Sequence, residues 1–157
     1  MVRDDQGEVE IQRRKTDAML IEAPLQPEIP VEGVHPVGEL EVLEALQSGE
    51  AAVVDMRTAK WREKFTIPGS SHIPYEEVGE RLEELGCRRT DSGWDCSNAR
   101  RVVAYCNGPN CGQSPIAIRH MVEAGFPAER ICYYRGGMAA WIVNGLTVAS
   151  AHGNGPE

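Results

Sequence analysis

The 157-residue chain has the length of one domain, and its hydrophobic content of 41% is enough for a single core, which excludes a globally disordered protein. Its formal net charge of -8 disfavours nucleic acid and anionic membranes as partners, because both attract basic surfaces. No apolar run is long enough to cross a bilayer, and the N-terminal residues lack the apolar stretch of a secretory signal. The sequence therefore predicts a cytoplasmic protein.

Composition along the chain predicts four segments. Residues 1–17 form a polar tail, and residues 18–35 form an extended, proline-rich segment that packs on the domain. Residues 36–148 form the folded domain, and residues 149–157 form a disordered tail.

Strand and helix signals alternate through the folded domain. In chain order they predict a helix at 38–49, a strand at 51–56, a helical segment at 57–65, a brief strand within 67–75, a helix at 76–86, a strand at 101–106, a helix at 114–125, a strand at 130–134 and a helix at 137–146. Two of these helices also have predicted core-facing side chains: Leu40, Leu43 and Leu46 in the first, and Val78, Leu82 and Leu85 at 76–86. Buried strands that alternate with helices predict an α/β fold with a parallel sheet covered on both faces.

The chain has five cysteines: Cys87, Cys96, Cys106, Cys111 and Cys132. An odd number fits poorly with a disulfide framework, and the absence of a Cys-x-x-Cys pair disfavours a metal site. Cys87 and Cys96 flank a surface hairpin, but in a cytoplasmic protein both are predicted to be reduced. Cys132, within an apolar strand, is predicted to lie in the core.

Cys106 differs from the others because it ends a buried strand under a glycine-rich loop. Ser114 is a predicted N-cap and Pro115 the first helical residue, so the helix directs its N–H groups toward the loop. We expect these dipoles to lower the pKa of Cys106 and make it a nucleophile, although a buried core cysteine is the alternative. The predicted anion cradle comprises Asn107, Gly108, Pro109, Asn110, Cys111, Gly112, Gln113 and Ser114.

Two other kinds of cysteine chemistry are disfavoured. A phosphatase site of this type requires an arginine six residues after the cysteine, but that residue is Gly112 and the loop 107–113 contains no Lys or Arg. A thiol–histidine pair requires a histidine beside Cys106, and neither His72 nor His120 has a motif around it.

Three motifs together resemble the rhodanese-like, or sulfurtransferase, domain. They are the segment "VVDMRTAKWREKFTIPGSSHIP", the cysteine loop "YCNGPNCGQS" and the closing segment "YYRGGMAAWIVNGLTV". In the correct order they cover about residues 36 to 148. Thr66 stands where the family usually has histidine, and Cys111 stands where family loops often carry a basic residue.

The resemblance implies a three-layer fold with a mainly parallel, five-stranded sheet. It also implies an enzyme that uses no cofactor or metal. A sulfane sulfur would pass from a small donor such as thiosulfate to a thiol or cyanide acceptor, through a persulfide on Cys106. Asp55 and Arg57 carry over as a supporting pair, and we expect Arg135 to supply a cation at the rim.

Cys111 leaves two alternatives open. It is either a resolving thiol for Cys106, five residues away, or an outward-facing loop residue. The alternative function is a non-catalytic or redox-sensing module in which Cys106 and Cys111 form a thiol switch or a partner-binding site. The sequence leaves the oligomeric state open.

Overall fold

A computed structural model describes residues 24–150, together with the backbone of residues 2–4 and 7–9. The strands are β1 (Val2–Asp4), β2 (Gly7–Val9), β3 (His35–Pro36), β4 (Ala51–Asp55), β5 (Ser71–His72), β6 (Arg88–Thr90), β7 (Gly93–Asp95), β8 (Arg101–Tyr105) and β9 (Ile131–Tyr134). The α-helices are α1 (Glu39–Ser48), α2 (Ala59–Lys64), α3 (Gln113–Glu123) and α4 (Gly137–Val143).

The central sheet has five strands in the order β3-β9-β8-β4-β5, and every neighbouring pair is parallel. Its three longest strands are the apolar runs that the sequence predicts. The register places Tyr105 of β8 beside Asp55 of β4 and Tyr134 of β9. The residues that follow these three strands therefore meet at one edge of the sheet.

Both faces of the sheet are buried, as the alternation of strands and helices predicts. On one face, Val102, Ala104 and Tyr133 pack with Ile118 and Met121 of α3. On the other face the buried cluster joins the opposite side chains of the strands to α1 and α4; it includes Val42, Val53, Val103, Tyr105, Tyr134, Met138 and Trp141. This confirms the predicted three-layer α/β fold.

The predicted inward face of α1 is wrong for two of its three leucines, whereas Leu46 is partly buried against the core. Leu40 is 79% exposed and Leu43 is 40% exposed, whereas Val42 and Ala45 are buried. The helix ends at Gly49 as predicted, with the left-handed φ of 72°. Leucine spacing alone could not show the rotation of the helix, because Val42 and Ala45 fit the same helical period.

The segment 76–86 is not an α-helix. It forms two short 3-10 turns, Val78–Glu80 and Leu82–Leu85, and ends at Gly86 with φ 90°. The predicted core residues of this segment are nevertheless buried, since Val78, Leu82 and Leu85 all lie in the cluster beside α3. Gly79 lowers helix propensity in the middle of the segment.

Cys87 and Cys96 form a disulfide, so the prediction that both are reduced is wrong. The bond closes the antiparallel hairpin of β6 and β7 at its base. Both cysteines are buried against Leu82, Leu85 and Ala99. Cys106, Cys111 and Cys132 are free thiols.

The chain ends hold two further pairings. β1 and β2 form a short antiparallel pair within the predicted polar tail. Ala149, which the sequence places in a disordered tail, forms an isolated bridge with Thr66. The predictions for residues 10–23 and 151–157 lie outside the described residues. No helix in the described part of the chain is long and apolar enough to cross a membrane.

Candidate active site

Cys106 follows the central strand β8 directly and lies at the carboxyl edge of the sheet. It is only 1% exposed. The Met138 N–H donates to its carbonyl oxygen at 3.0 Å, so the start of α4 holds the cysteine main chain. Gly137 permits this approach, because it has φ 56° and a Cβ there would collide with the same carbonyl oxygen.

Two main-chain groups contact the Cys106 sulfur. The Ser114 N–H donates to Sγ at 3.4 Å, and the thiol donates to the Cys111 carbonyl oxygen at 3.6 Å. The prediction that Ser114 is a side-chain N-cap is wrong, since α3 begins at Gln113 and Gly112 occupies the N-cap position. Ser114 instead contributes its main-chain N–H, at the positive end of the α3 dipole, as a hydrogen-bond donor to the Cys106 sulfur. This is the kind of contact that the predicted cradle requires.

The lowered pKa is found at Cys111 rather than at Cys106, which corrects the sequence prediction. Burial raises the pKa of Cys106, and its pairing with Cys111 adds to the effect. The pKa of Cys111 falls to about 6 because it accepts a hydrogen bond from the Cys106 thiol, and backbone N–H groups of Gln113 and Asn107 also favour its thiolate. The first negative charge of this site therefore lies on Cys111.

A tight turn places Cys111 over Cys106. The Cys111 N–H donates to the Gly108 carbonyl oxygen at 3.0 Å, which folds the loop back on itself. Cys111 is partly exposed, whereas Cys106 is buried. The loop thus presents one thiol to solvent and keeps the other beneath it.

Asp55 and Arg57 form the buried ion pair that the sequence predicts, with Nη2 2.9 Å from Oδ2. Burial opposes the Asp55 carboxylate, but the hydrogen bonds and charge of Arg57 outweigh it and lower the pKa of Asp55. Arg57 Nη1 also donates to Asn107 Oδ1 at 3.1 Å. The pair therefore connects β4 to the first residue of the cysteine loop.

A cluster of buried hydroxyl groups completes this network, and the sequence analysis missed it. Thr66 Oγ1 donates to Asp55 Oδ2 at 2.8 Å and lies 2.6 Å from the Tyr105 hydroxyl. Ser70 Oγ lies 2.9 Å from the same hydroxyl. Thr66, which departs from the family's usual histidine, is thus a direct partner of Asp55. The polar residue at 66, inside an apolar stretch, was the available signal.

Residues 24–30, named here the N-terminal strap, lie against the cysteine loop. The Gln26 N–H donates to the Pro109 carbonyl oxygen at 2.7 Å, and Gln26 Nε2 donates to the Asn110 carbonyl oxygen at 3.4 Å. Arg135 does not point into the loop as the expected rim cation. Its guanidinium donates to the Gln26 carbonyl oxygen at 3.1 Å and pairs with Glu28 at 3.4 Å.

Three buried side-chain atoms in the described residues have no hydrogen-bond partner: Gln113 Oε1, Ser114 Oγ and the Tyr133 hydroxyl. Gln113 and Ser114 begin α3, and the pKa of Tyr133 is raised by burial and, to a smaller extent, by the charges of Cys106 and Cys111. All three atoms therefore belong to the surroundings of the two thiols. Buried polar atoms without partners are rare, and sites that bind a ligand are one place where they occur.

Neither histidine considered in the sequence, His72 or His120, is paired with a thiol among the described residues. His72 Nε2 contacts the Arg57 carbonyl oxygen at 2.6 Å, and His120 Nδ1 contacts the Tyr75 carbonyl oxygen at 3.3 Å. Within residues 24–150, no three His, Cys, Asp or Glu side chains are grouped to hold a metal ion.

The family model of the rhodanese-like domain matches residues 39–144. The chain belongs to the rhodanese-like domain family. This confirms the resemblance that the three motifs suggest, and the matched residues include the sulfur site and both networks that support it.

One curated protein is similar to most of this chain. The chain is 33% identical over 108 residues to the HTH-type transcriptional regulator Rv0324 of Mycobacterium tuberculosis. That match covers 69% of this chain and 42% of the regulator, so the chain spans less than half the length of this curated relative.

Solved structures share the rhodanese-like fold. The BH2092 protein from Bacillus halodurans has a TM-score of 0.60 at 21% identity, over 76% of this chain and 79% of that chain. A thiosulfate sulfurtransferase from Pseudomonas aeruginosa has a TM-score of 0.57 at 23% identity, over 79% of this chain and 22% of that chain. At these identities the likeness concerns the fold.

Proposed function

We propose that this rhodanese-like domain is a sulfurtransferase that carries a sulfane sulfur on Cys106. The observation that supports this most directly is the Ser114 N–H, which donates to the Cys106 sulfur at the N-terminus of α3. The same N–H and the helix dipole would stabilise a thiolate or a persulfide anion at that atom. Family membership supports the same chemistry.

Thiosulfate is the donor that we propose to test first. The Cys106 thiolate attacks the outer sulfur of thiosulfate, the sulfur–sulfur bond of the donor breaks, and sulfite leaves with the bonding electrons. The persulfide then gives its outer sulfur to a thiol or to cyanide, and the Cys106 thiolate returns. The loop 107–113 has no Lys or Arg to clamp a phosphoryl group, which disfavours phosphatase chemistry on this fold.

Cys111 supplies the route by which the buried thiol loses its proton. Cys106 hydrogen-bonds to Cys111, and Cys111 carries the lower pKa, about 6. Because Cys111 is the weaker base, the proton rests on Cys106, and its transfer to the Cys111 thiolate produces a small population of the attacking Cys106 thiolate, which the reaction with the donor consumes. This arrangement needs neither a histidine nor a charged loop residue.

The proposal is tested by incubating the reduced domain with thiosulfate and measuring intact mass and peptide masses. We expect a gain of about 32 mass units, one sulfur atom, on the peptide that contains Cys106. Cys106→Ser should abolish the gain, whereas Cys132→Ser, which removes a buried cysteine from the opposite face of the sheet, should retain it. Sulfur uptake by the Cys106→Ser protein would show that another residue is the nucleophile.

A redox-sensing module is the second candidate, and the proximity of two thiols on one loop favours it. The similarity to a mycobacterial transcriptional regulator supports a regulatory role of this kind. The same mass measurement distinguishes the two functions. A sensor would take no sulfur from thiosulfate, and mild peroxide would convert Cys106 and Cys111 into a disulfide in a non-reducing peptide map.

A further inference from the structure

We propose that Cys111 resolves the Cys106 persulfide, so that the domain releases hydrosulfide and closes a Cys106–Cys111 disulfide. This inference rests on the proposed sulfurtransferase function and adds an activity to it. The domain would then not only carry sulfur to an acceptor but also reduce the carried sulfur to hydrosulfide.

The loop geometry carries the inference. The turn from Gly108 to Cys111 folds the second thiol over the first, and the Cys106 sulfur contacts the main chain of Cys111 itself. The interaction of the two thiols also lowers the pKa of Cys111. Cys111 is therefore the thiol that a persulfide on Cys106 would meet first.

The charges of the site favour Cys111 as the attacking thiol. Its thiolate is stabilised by the N–H groups of Asn107 and Gln113 and by the charge of Arg57. Arg57 is fully buried and is held by Asp55 and Asn107, so this positive charge has a fixed position. These fixed groups favour the thiolate form of Cys111, and the loop needs no lysine or arginine for this step.

The resolving step balances without an external oxidant. The proton that Cys111 took from Cys106 first passes to the outer sulfur of the persulfide. The Cys111 thiolate then attacks the inner sulfur, a bond forms between the two cysteine sulfurs, and the outer sulfur leaves with its proton and the bonding electrons as hydrosulfide. The sulfane sulfur is reduced while the two thiols are oxidised. An external dithiol then reduces the disulfide and restores the domain.

Leaving-group chemistry selects hydrosulfide over the alternative product. Attack by Cys111 on the outer sulfur would expel the Cys106 thiolate and only move the persulfide to Cys111, without forming the disulfide. Hydrosulfide is the weaker base and leaves more readily.

The test compares the reduced wild-type domain with Cys111→Ser after a single exposure to thiosulfate. Cys111→Ser also lacks the thiolate that accepts the Cys106 proton, so we expect it to gain about 32 mass units more slowly than the wild type but to keep the gained sulfur about tenfold longer. The wild type should instead lose about two mass units, show a Cys106–Cys111 peptide pair under non-reducing conditions, and release one hydrosulfide per disulfide. Cys132→Ser is the matched control and should behave as the wild type.

Each result separates this inference from the function on which it rests. If both proteins keep the extra sulfur equally long and neither releases hydrosulfide, Cys111 does not resolve the persulfide and only the inference is wrong. If neither protein gains sulfur at any time, the sulfurtransferase function is wrong and the inference fails with it. Cys111→Ala, with folding checked by circular dichroism, repeats the comparison without a hydroxyl group at this position.

Discussion

Cys106 and Cys111 place a buried and a partly exposed sulfur on one loop. The loop is the one that the sequence predicts, but the lowered pKa belongs to Cys111 and not to Cys106. The sequence shows the strand before Cys106, the glycines of the loop and the start of the next helix. The burial of Cys106 depends instead on how the loop folds back over it, which the sequence does not show. Burial disfavours a thiolate by an amount that no local motif reveals.

The ionisation of Cys111 can be measured directly. Because its pKa is lowered to about 6, its thiolate is present above that pH and is lost as the pH falls through it. We expect the rate of Cys111 alkylation by iodoacetamide, followed by peptide mass, to reach half its maximum near this pH. Cys106→Ala removes the hydrogen bond to Cys111 and should shift the midpoint upward. A midpoint near about 8.5 in the wild type would contradict the structure.

At the scale of elements, the buried strands were the most predictable part of the molecule. The runs at 51–56, 101–106 and 130–134 are short, apolar and bounded by polar or turn residues, and all three form strands of the central sheet. Segment 76–86 was misread because its buried residues fit a helical period although the backbone forms 3-10 turns. The sequence did not predict that the Tyr133 hydroxyl lies near the thiols or that the strap contacts the cysteine loop, because these residues are far apart in the chain.

The strap provides a prediction at this scale. Gln26 and Glu28 connect it to the cysteine loop and to Arg135, so removing both side chains should expose the thiols more often. We expect Gln26→Ala/Glu28→Ala to raise the alkylation rate of Cys106 about fivefold, which corresponds to about 1 kcal/mol of lost contacts. Glu32→Ala, at an exposed position outside the strap, is the control. Equal rates in all three proteins would show that the strap does not limit access.

At the scale of the whole molecule, two linkages join parts that the sequence leaves separate. The Asp55–Arg57 pair connects the sheet to the cysteine loop through Asn107, and the Cys87–Cys96 disulfide connects the β6–β7 hairpin to the core beside α3. The Asp55–Arg57 pair could be predicted, because an acidic and a basic residue stand two positions apart at the end of a predicted strand. The second was missed because reasoning from compartment and cysteine count does not show how closely the hairpin brings two thiols together.

The disulfide predicts a stability difference. The two cysteines are nine residues apart in the sequence, so the bond restricts a short loop of the unfolded chain. Without the bond the unfolded chain has greater entropy, and we expect the free energy of unfolding to fall by about 2–3 kcal/mol. Urea unfolding of the wild type should show a lower midpoint after dithiothreitol treatment. The Cys87→Ala/Cys96→Ala protein should be less stable and should not respond to dithiothreitol. An unchanged wild-type midpoint would mean that the bond contributes nothing.

The close packing of Gly137 against the carbonyl oxygen of Cys106 sets a limit for protein engineers. A Cβ at residue 137 would clash with main-chain atoms, which no second substitution can make smaller. Mutant libraries that seek a different sulfur donor should therefore keep Gly137. Diversity is better introduced at Asn110 and Gln113, whose side chains can vary while α4 keeps the nucleophile in register.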